Sequence, residues 1–246
     1  MKISFSVLFL GILFLLLNAC DENTDINPKP QSVSINKIMA LGASRVEGAR
    51  PDFESFRYEL WIDLVDGGWT FDYTGTQTDN ASYPEYNGTE FDPDHEGRGG
   101  WTSGEILSGM DAWLSQTGSP DIVLFSSPSG NDALTGLSYE QAVSNINAIV
   151  DVLQADNPEV IIIIEQMAPG RSDFMNAEQN EFFEQMQQEV VSIAENQTTS
   201  SSQVIVVDMF SGFNDSYLAD DVHYNEAGAI FVADRYYEVL ENVLEE

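Results

Sequence analysis

Five short runs rich in apolar residues, at 35–41, 69–73, 122–125, 160–164 and 204–207, alternate along the chain with longer segments of helical character. No other feature constrains the fold as strongly. Ile122-Val123-Leu124-Phe125 and Val160-Ile161-Ile162-Ile163-Ile164 carry no polar face, so they fit strands covered on both sides. Between the first two runs, Phe53, Phe56, Leu60 and Leu64 fall at the spacing of one helix face over 53–65, and Gly67-Gly68 ends that segment. Further helices are expected at 104–114, capped by Thr102 or Ser103 with Glu105 in the first turn, and at 138–154, 177–195 and 227–244. Strands alternating with helices predict an α/β fold whose five-stranded parallel sheet is doubly wound, with helices on both faces. A chain of 246 residues fits one such domain, and no internal repeat divides it.

In a sheet of this kind the segments that follow the strands share one edge, so residues far apart in sequence can meet in one cleft. Four candidates lie in such segments. Ser44 follows the first strand in Gly42-Ala43-Ser44, where a sharp turn would expose its hydroxyl as a nucleophile. Gly100 closes the long 75–100 segment, which is rich in Gly, Asn, Asp and Tyr and is expected to be a functional loop. Asn131 follows the third strand in Ser129-Gly130-Asn131-Asp132, and His223 follows the fifth in Asp220-Asp221-Val222-His223. An acyl-transfer enzyme needs a base for its nucleophile and donors for the developing oxyanion. Asp220 can orient His223, and the backbone amides of Ser44 and Gly100 with the side-chain amide of Asn131 can supply the donors. Each has a plainer alternative: Asp220 as a helix cap beside a surface histidine, Asn131 as a turn residue.

The only other histidine, His95, sits in Asp92-Pro93-Asp94-His95-Glu96-Gly97, where ordering of the loop is favoured over catalysis. The carboxylates around it could hold a hard cation such as calcium, but a solvated acidic loop is the expected reading.

Together these blocks resemble the SGNH, or GDSL-type, esterases and lipases. Gly42-Ala43-Ser44, Gly99-Gly100-Trp101, Gly130-Asn131-Asp132, and Asp220 with His223 match the four family blocks in order. Within the family, Ile38-Met39-Ala40-Leu41-Gly42, Asp94-His95-Glu96-Gly97 and Leu218-Ala219-Asp220 look most like the acetylxylan esterases of carbohydrate esterase family three. The resemblance implies a flavodoxin-like three-layer sandwich, a Ser44–His223–Asp220 triad, an oxyanion hole of Ser44, Gly100 and Asn131, and a mechanism that uses no metal and no cofactor. Three positions depart from the family pattern: Ala43 replaces the usual Asp before the nucleophile, Ser129 the usual Gly, and Tyr224 the usual Pro after the histidine.

The N-terminus reads as a lipoprotein leader. Residues 1–19 carry Lys2 and an apolar stretch over 7–17, too short for a confident membrane span, and lead into Leu17-Asn18-Ala19-Cys20. Cys20 is then the lipidated first residue, and the polar, Pro-containing segment 20–33 is a tether to a hydrolase domain at 34–246. The plainer alternative is a secretory signal with an incidental thiol. With a single cysteine, no internal disulfide is possible.

The chain holds 9 basic and 41 acidic residues, a formal charge of −32, and loss of the leader removes only Lys2 from that balance. So acidic a surface disfavours nucleic acid and polyanionic substrates. The expected partners are an acylated neutral carbohydrate such as acetylated xylan and, through the lipid anchor, a membrane. The expected location is the cell envelope, extracytoplasmic or surface-exposed. Tyr83, Tyr86, Phe91 and Trp101 in or beside the long loop could stack on sugar faces or pack a core. A lysophospholipase or thioesterase would need an apolar acyl channel that the sequence does not reveal, and a weakly active carbohydrate-binding lipoprotein is the remaining alternative.

Overall fold

The computed structural model describes Lys29 and residues 31–246. The expected leader 1–19, Cys20 and most of the expected tether lie outside the described residues. No helix among the described residues is long and apolar enough to cross a membrane.

The first strand, β1 (Lys37–Gly42), is buried from Ile38 onward and runs into α1 (Ser44–Glu47), a single helical turn, before α2 (Arg57–Asp66). Three short strands follow: β2 (Asp72–Thr74), β3 (Gln77–Thr78) and β4 (Asp94–Gly97). Helix α3 (Ser103–Thr117) leads to β5 (Ile122–Phe125), then α4 (Gly130–Thr135), α5 (Tyr139–Asp156) and β6 (Ile161–Gln166). Helix α6 (Ala177–Gln197), β7 (Val204–Asp208), a 3-10 turn at Asp215–Tyr217 and α7 (Glu226–Leu240) complete the chain.

The strands form one seven-stranded sheet in the order β3-β4-β1-β5-β6-β7, parallel except where β3 meets β4. The expected five-stranded parallel arrangement is its frame, and β3 and β4 extend it. They escape a reading of apolar runs because Asp94-His95-Glu96-Gly97 is polar. Both β2 and β4 pair with β1, β2 along Lys37–Met39 and β4 along Leu41 and Gly42.

The sides of the sheet alternate with the period of two that strands impose. Met39, Leu41, Val123, Phe125, Ile162 and Ile164 pack under α3, α5 and α6. Ile38, Ala40, Ile122, Leu124 and Ile163 face the opposite way, toward Leu60 and Leu64 of α2 and Val232 and Tyr236 of α7. The result is three layers. Polar caps fix where the helices begin: the backbone N–H of Thr102 donates to Glu105 at 2.8 Å, Ser138 Oγ accepts from Gln141 N at 3.1 Å, and Asn225 accepts from Gly228 N at 3.1 Å.

The structure corrects one local expectation and decides between two alternatives at another place. Helix α2 begins at Arg57, so Phe53 lies before the helix and not on its face. Of the two roles open to the loop aromatics, the structure shows core packing. Phe91 lies 4.5 Å from Tyr83 and 5.7 Å from Trp61 between ring centroids, Tyr86 packs beside the same core, and Trp101 lies against Trp113 at 5.7 Å.

Candidate active site

Strand β1 ends at Gly42, and Ala43 turns the chain so that Ser44 opens α1. That turn sits in tight surroundings. A Cβ on Gly97, the β4 residue beside Gly42, would lie 2.4 Å from the backbone nitrogen of Glu47, so only glycine lets β4 come so close to α1. Buried Arg57 holds the other end of α1, its guanidinium donating to the carbonyls of Val46 and Glu47 at 2.7 and 3.0 Å.

His223 Nε2 lies 2.8 Å from Ser44 Oγ, and its Nδ1 lies 2.7 Å from Asp220 Oδ2. The other Asp220 oxygen accepts the backbone N–H groups of Val222 and His223, each at 2.8 Å. Burial alone would raise the Asp220 carboxyl, but the hydrogen bonds from the His223 side chain and from the His223 and Val222 backbones outweigh it and hold it below its usual range. An ionised carboxylate only accepts, so Nδ1 must carry the ring proton and Nε2 is left to accept from the serine hydroxyl. That is the arrangement a general base requires. Asp221, the neighbouring acid, points elsewhere: it pairs with Arg171 at 3.6 Å.

The candidate oxyanion donors surround the same hydroxyl. Gly100 follows β4 with φ at +79°, a left-handed conformation natural to glycine. Among the described residues, the backbone N–H groups of Ser44 and Gly100 donate to no other backbone group outside the regular elements, whereas the N–H of Gly99 is taken by the Glu47 carboxylate. Asn131, in the first turn of α4, gives one amide hydrogen to the carbonyl of Trp101 at 2.8 Å, which fixes its plane and leaves the second hydrogen available. Ser44, Gly100, Asn131 and His223 line one open cleft.

His95 stands apart from this group. It is buried in β4, its Nδ1 accepts the N–H of Gly97 at 3.0 Å, and burial, then the charges of Arg57, Lys29 and Arg98, push it down to about 2. A ring that stays neutral orders the strand and does not shuttle protons. The nearby carboxylates have protein partners: Asp94 pairs with Lys29 at 2.7 Å, Glu96 with Arg98 at 2.8 Å, and Asp92 accepts the N–H of Tyr73 at 2.9 Å.

Three residues that matter to the site escape a sequence reading. Phe53 stacks on the His223 ring, with centroids 3.8 Å apart and planes inclined by 11°. Buried Arg45, next to the nucleophile, reaches the chain just before His223. Glu165, wholly buried at the end of β6, accepts Ser127 N–H at 2.6 Å and the Tyr236 hydroxyl at 2.7 Å beneath the same loops.

Two spaces of unequal width meet at Ser44. One, beside α4 and the segment after β6, is lined mainly by apolar side chains including Leu134, Met167, Met175 and Phe183. It holds about 40 Å³ that the centre of a water molecule can reach. The other, on the His223 and Phe53 side, holds about 360 Å³, and a neighbouring polar hollow of about 390 Å³ shares Glu47, Gly48 and Ala49 with it. Gln77, Thr78, Asp79 and Asn80 line that hollow.

The comparisons agree with this fold. No curated protein matches the chain. Among solved structures, an acetyl esterase mutant with acetate ion and a carbohydrate esterase family 3 protein from Talaromyces cellulolyticus are each 26% identical, cover 85% of this chain and 98% of their own, and superpose with a TM-score of 0.72. A family 3 carbohydrate esterase from Clostridium thermocellum is 25% identical over 86% of this chain and all of its own, with a TM-score of 0.69. Residues 41–229 match the GDSL-like lipase/acylhydrolase family, and the chain belongs to that family of serine ester hydrolases.

Proposed function

We propose that the chain removes short acyl groups, acetyl foremost, from hydroxyls of a neutral polysaccharide such as xylan, with Ser44 as nucleophile, His223 as general base and acid, and Asp220 as its orienting carboxylate. The observation that carries this reading is the placement of Ser44 between a narrow apolar space and a wide cleft that holds His223 and adjoins a polar hollow. Ser44 Oγ attacks the ester carbonyl as its proton passes to His223 Nε2, and the oxyanion is received by the amides of Ser44, Gly100 and Asn131. The carbon–oxygen bond to the sugar then breaks, and the departing alkoxide takes the proton from Nε2. Since the leaving group must meet His223, the carbohydrate occupies the wide cleft and extends toward the neighbouring hollow, where Gln77, Thr78, Asp79 and Asn80 can hydrogen-bond its hydroxyls. Water, deprotonated by the same imidazole, releases the acid. The carbohydrate esterases among the similar structures and the acidic surface support the same substrate class.

The proposed setting is the cell envelope, with Cys20 lipidated and the domain outside the cytoplasm. Its support is the sequence from the apolar stretch at 7–17 to Leu17-Asn18-Ala19-Cys20. Normal lipidation of Cys20→Ser would remove that assignment.

Acetate release from acetylated xylan, set beside hydrolysis of long-chain glycerol and phospholipid esters, tests the substrate. Acetate release with little long-chain hydrolysis is expected. A clear preference for long chains with no acetate released overturns the carbohydrate reading in favour of a lysophospholipase or thioesterase.

A further inference from the structure

We infer that Glu47, three residues after the candidate nucleophile, is a positioning residue for the oxyanion hole: its carboxylate holds the Gly99-Gly100 segment so that the Gly100 N–H meets the developing oxyanion. This rests on the proposed roles of Ser44 and Gly100 and is independent of which ester is cleaved.

Gly99 and Gly100 are adjacent glycines, and neither has a side chain to anchor it. Backbone as free as this does not by itself hold an N–H within about 0.5 Å of a productive position. The neighbouring backbone donors are all taken. Arg98 N–H goes to the carbonyl of Gly42 and Trp101 N–H to that of Arg98, each at 3.1 Å, while Thr102 and Ser103 N–H go to the carboxylates of Glu105 and Asp132, each at 2.8 Å. Gly99 N–H donates to Glu47 Oε2 at 2.5 Å, a short charge-assisted bond between residues 52 positions apart. Among the described residues of the 98–103 run, that leaves the N–H of Gly100 without a protein acceptor.

Glu47 closes the helical turn that Ser44 opens, and its own backbone is pinned. Its N–H donates to the carbonyl of Ala43 at 3.0 Å, and its carbonyl accepts from buried Arg57 at 3.0 Å. One rigid turn therefore carries the nucleophile and also grips the loop that bears the oxyanion donor. The grip explains the glycine at 99. A Cβ there would overlap Glu47 Oε2 and sit 4.0 Å from Ser44 Cβ, so a side chain would expel the carboxylate. Gly99 is not among the glycines with positive φ, so close approach, and not backbone conformation, is what excludes other residues.

Turnover of 4-nitrophenyl acetate by the intact protein tests this. Glu47→Ala should lower kcat by about 10- to 10²-fold, less than outright loss of a donor, with KM within about twofold and the fold retained. Glu47→Gln keeps an oxygen at the same reach and should restore most of the rate, whereas Glu47→Asp keeps the charge, stops about 1.5 Å short and should behave like Glu47→Ala. Inhibition by trifluoroacetone gives a readout that a merely structural role would not move. Its carbonyl carbon bonds to Ser44 Oγ as the hydroxyl proton passes to His223 Nε2, and the carbonyl oxygen becomes an alkoxide in the oxyanion hole. Glu47→Ala should weaken that adduct by the factor by which it lowers kcat/KM. Gly99→Ala, which displaces the same carboxylate from the other side, should match Glu47→Ala, and the double variant should lose little more than either one. A wild-type rate in Glu47→Ala, rescue by Asp but not by Gln, or losses that multiply in the double variant would overturn the role of Glu47. Activity surviving in Ser44→Ala would instead remove the nucleophile on which that role rests.

Discussion

The Nε of Arg45 donates to the carbonyl of Val222 at 2.8 Å, so the residue after the candidate nucleophile holds the residue before the candidate base, 177 positions later in the chain. The rest of the guanidinium reaches the carbonyls of Ala168 at 2.7 Å and Pro169 at 3.0 Å, and it lies 4.7 Å from the centre of the Tyr224 ring. His223 is thereby bracketed by an Arg45 contact on each side. Tyr224 also supplies what the usual proline could not, an aromatic face for the cation.

Replacing this bracket should misplace the imidazole. For Arg45→Met the expected loss in kcat is on the order of 10²-fold, the scale of an ångström-sized misplacement, with KM little changed and some stability lost as well. Arg45→Lys should recover only part of it, because an ammonium cannot present the guanidinium's fork to three carbonyls. Steady-state kinetics beside thermal melts separate the two effects. A variant that melts early but turns over at the normal rate when folded would show that Arg45 only stabilises.

Substitutions in the triad should follow a graded series. Ser44→Ala and His223→Ala are expected to lose about 10⁴-fold or more in kcat with the fold retained, and Asn131→Ala about 10²- to 10³-fold, as one oxyanion donor of three. Asp220→Ala should be far more damaging than Asp221→Ala, whose carboxylate faces Arg171. The reverse order would reassign the orienting carboxylate.

Ser129 should be improvable. Its φ is +66°, and its buried hydroxyl has no hydrogen-bond partner among the described residues. Ser129→Gly removes both penalties, and an increase in stability of about 1–2 kcal/mol is expected, visible as a shift of about 2–6 °C in Tm. An unchanged or lower Tm would mean that the loop relies on the serine in some other way.

Acid should stabilise this protein over a window where many proteins are indifferent. Burial, then the charges of Asp234 and Asp66, raise Asp63 to about 6, and burial raises Asp92 to about 6, while Glu54, Glu59 and Asp234 shift the same way. For a carboxyl raised in the folded state, the native chain holds a proton that the unfolded chain has released, so stability declines as pH rises from about 4 through 6. The lowered acids, Glu105, Asp208, Asp215 and Asp220, act in the opposite sense only below their ordinary range. Tm should therefore rise as pH falls from about 7.5 to 5.5, and Asp63→Asn should raise Tm at the upper pH by about 2–4 °C, for about 1 kcal/mol once solvent screening is allowed for, and much less at the lower. A flat pH profile would refute it.

The sheet frame was legible because its evidence is local: all-apolar runs such as 122–125 are fully buried strands, and Thr102 and Ser138 stand at helix starts. The convergence of Ser44, Gly100, Asn131 and His223 was legible for a different reason, since a parallel sheet sends all its strand-to-helix segments to one edge. What was not legible depends on contacts with no period. The Arg45 bracket crosses most of the chain, and β4 is a strand because Gly42 and Leu41 pair with it, not because of its composition. Phe53 misleads for the opposite reason: its spacing to Phe56 and Leu60 imitates a helix face, while the backbone there pairs Ala49 with Phe53 and delivers the ring to His223.

The unequal spaces on either side of Ser44 have a kinetic consequence. On the proposed assignment, once the alcohol has left through the wide cleft, what remains on the serine is the same acyl-enzyme whichever alcohol delivered it, and its breakdown depends only on the narrow side and on water. Esters that share an acyl group but differ in alcohol should thus diverge in kcat/KM and converge on one limiting kcat wherever deacylation is the slow step. A dissolved alcohol small enough for the wide cleft should compete with water for that intermediate, so that part of the acyl flux is diverted into a new ester.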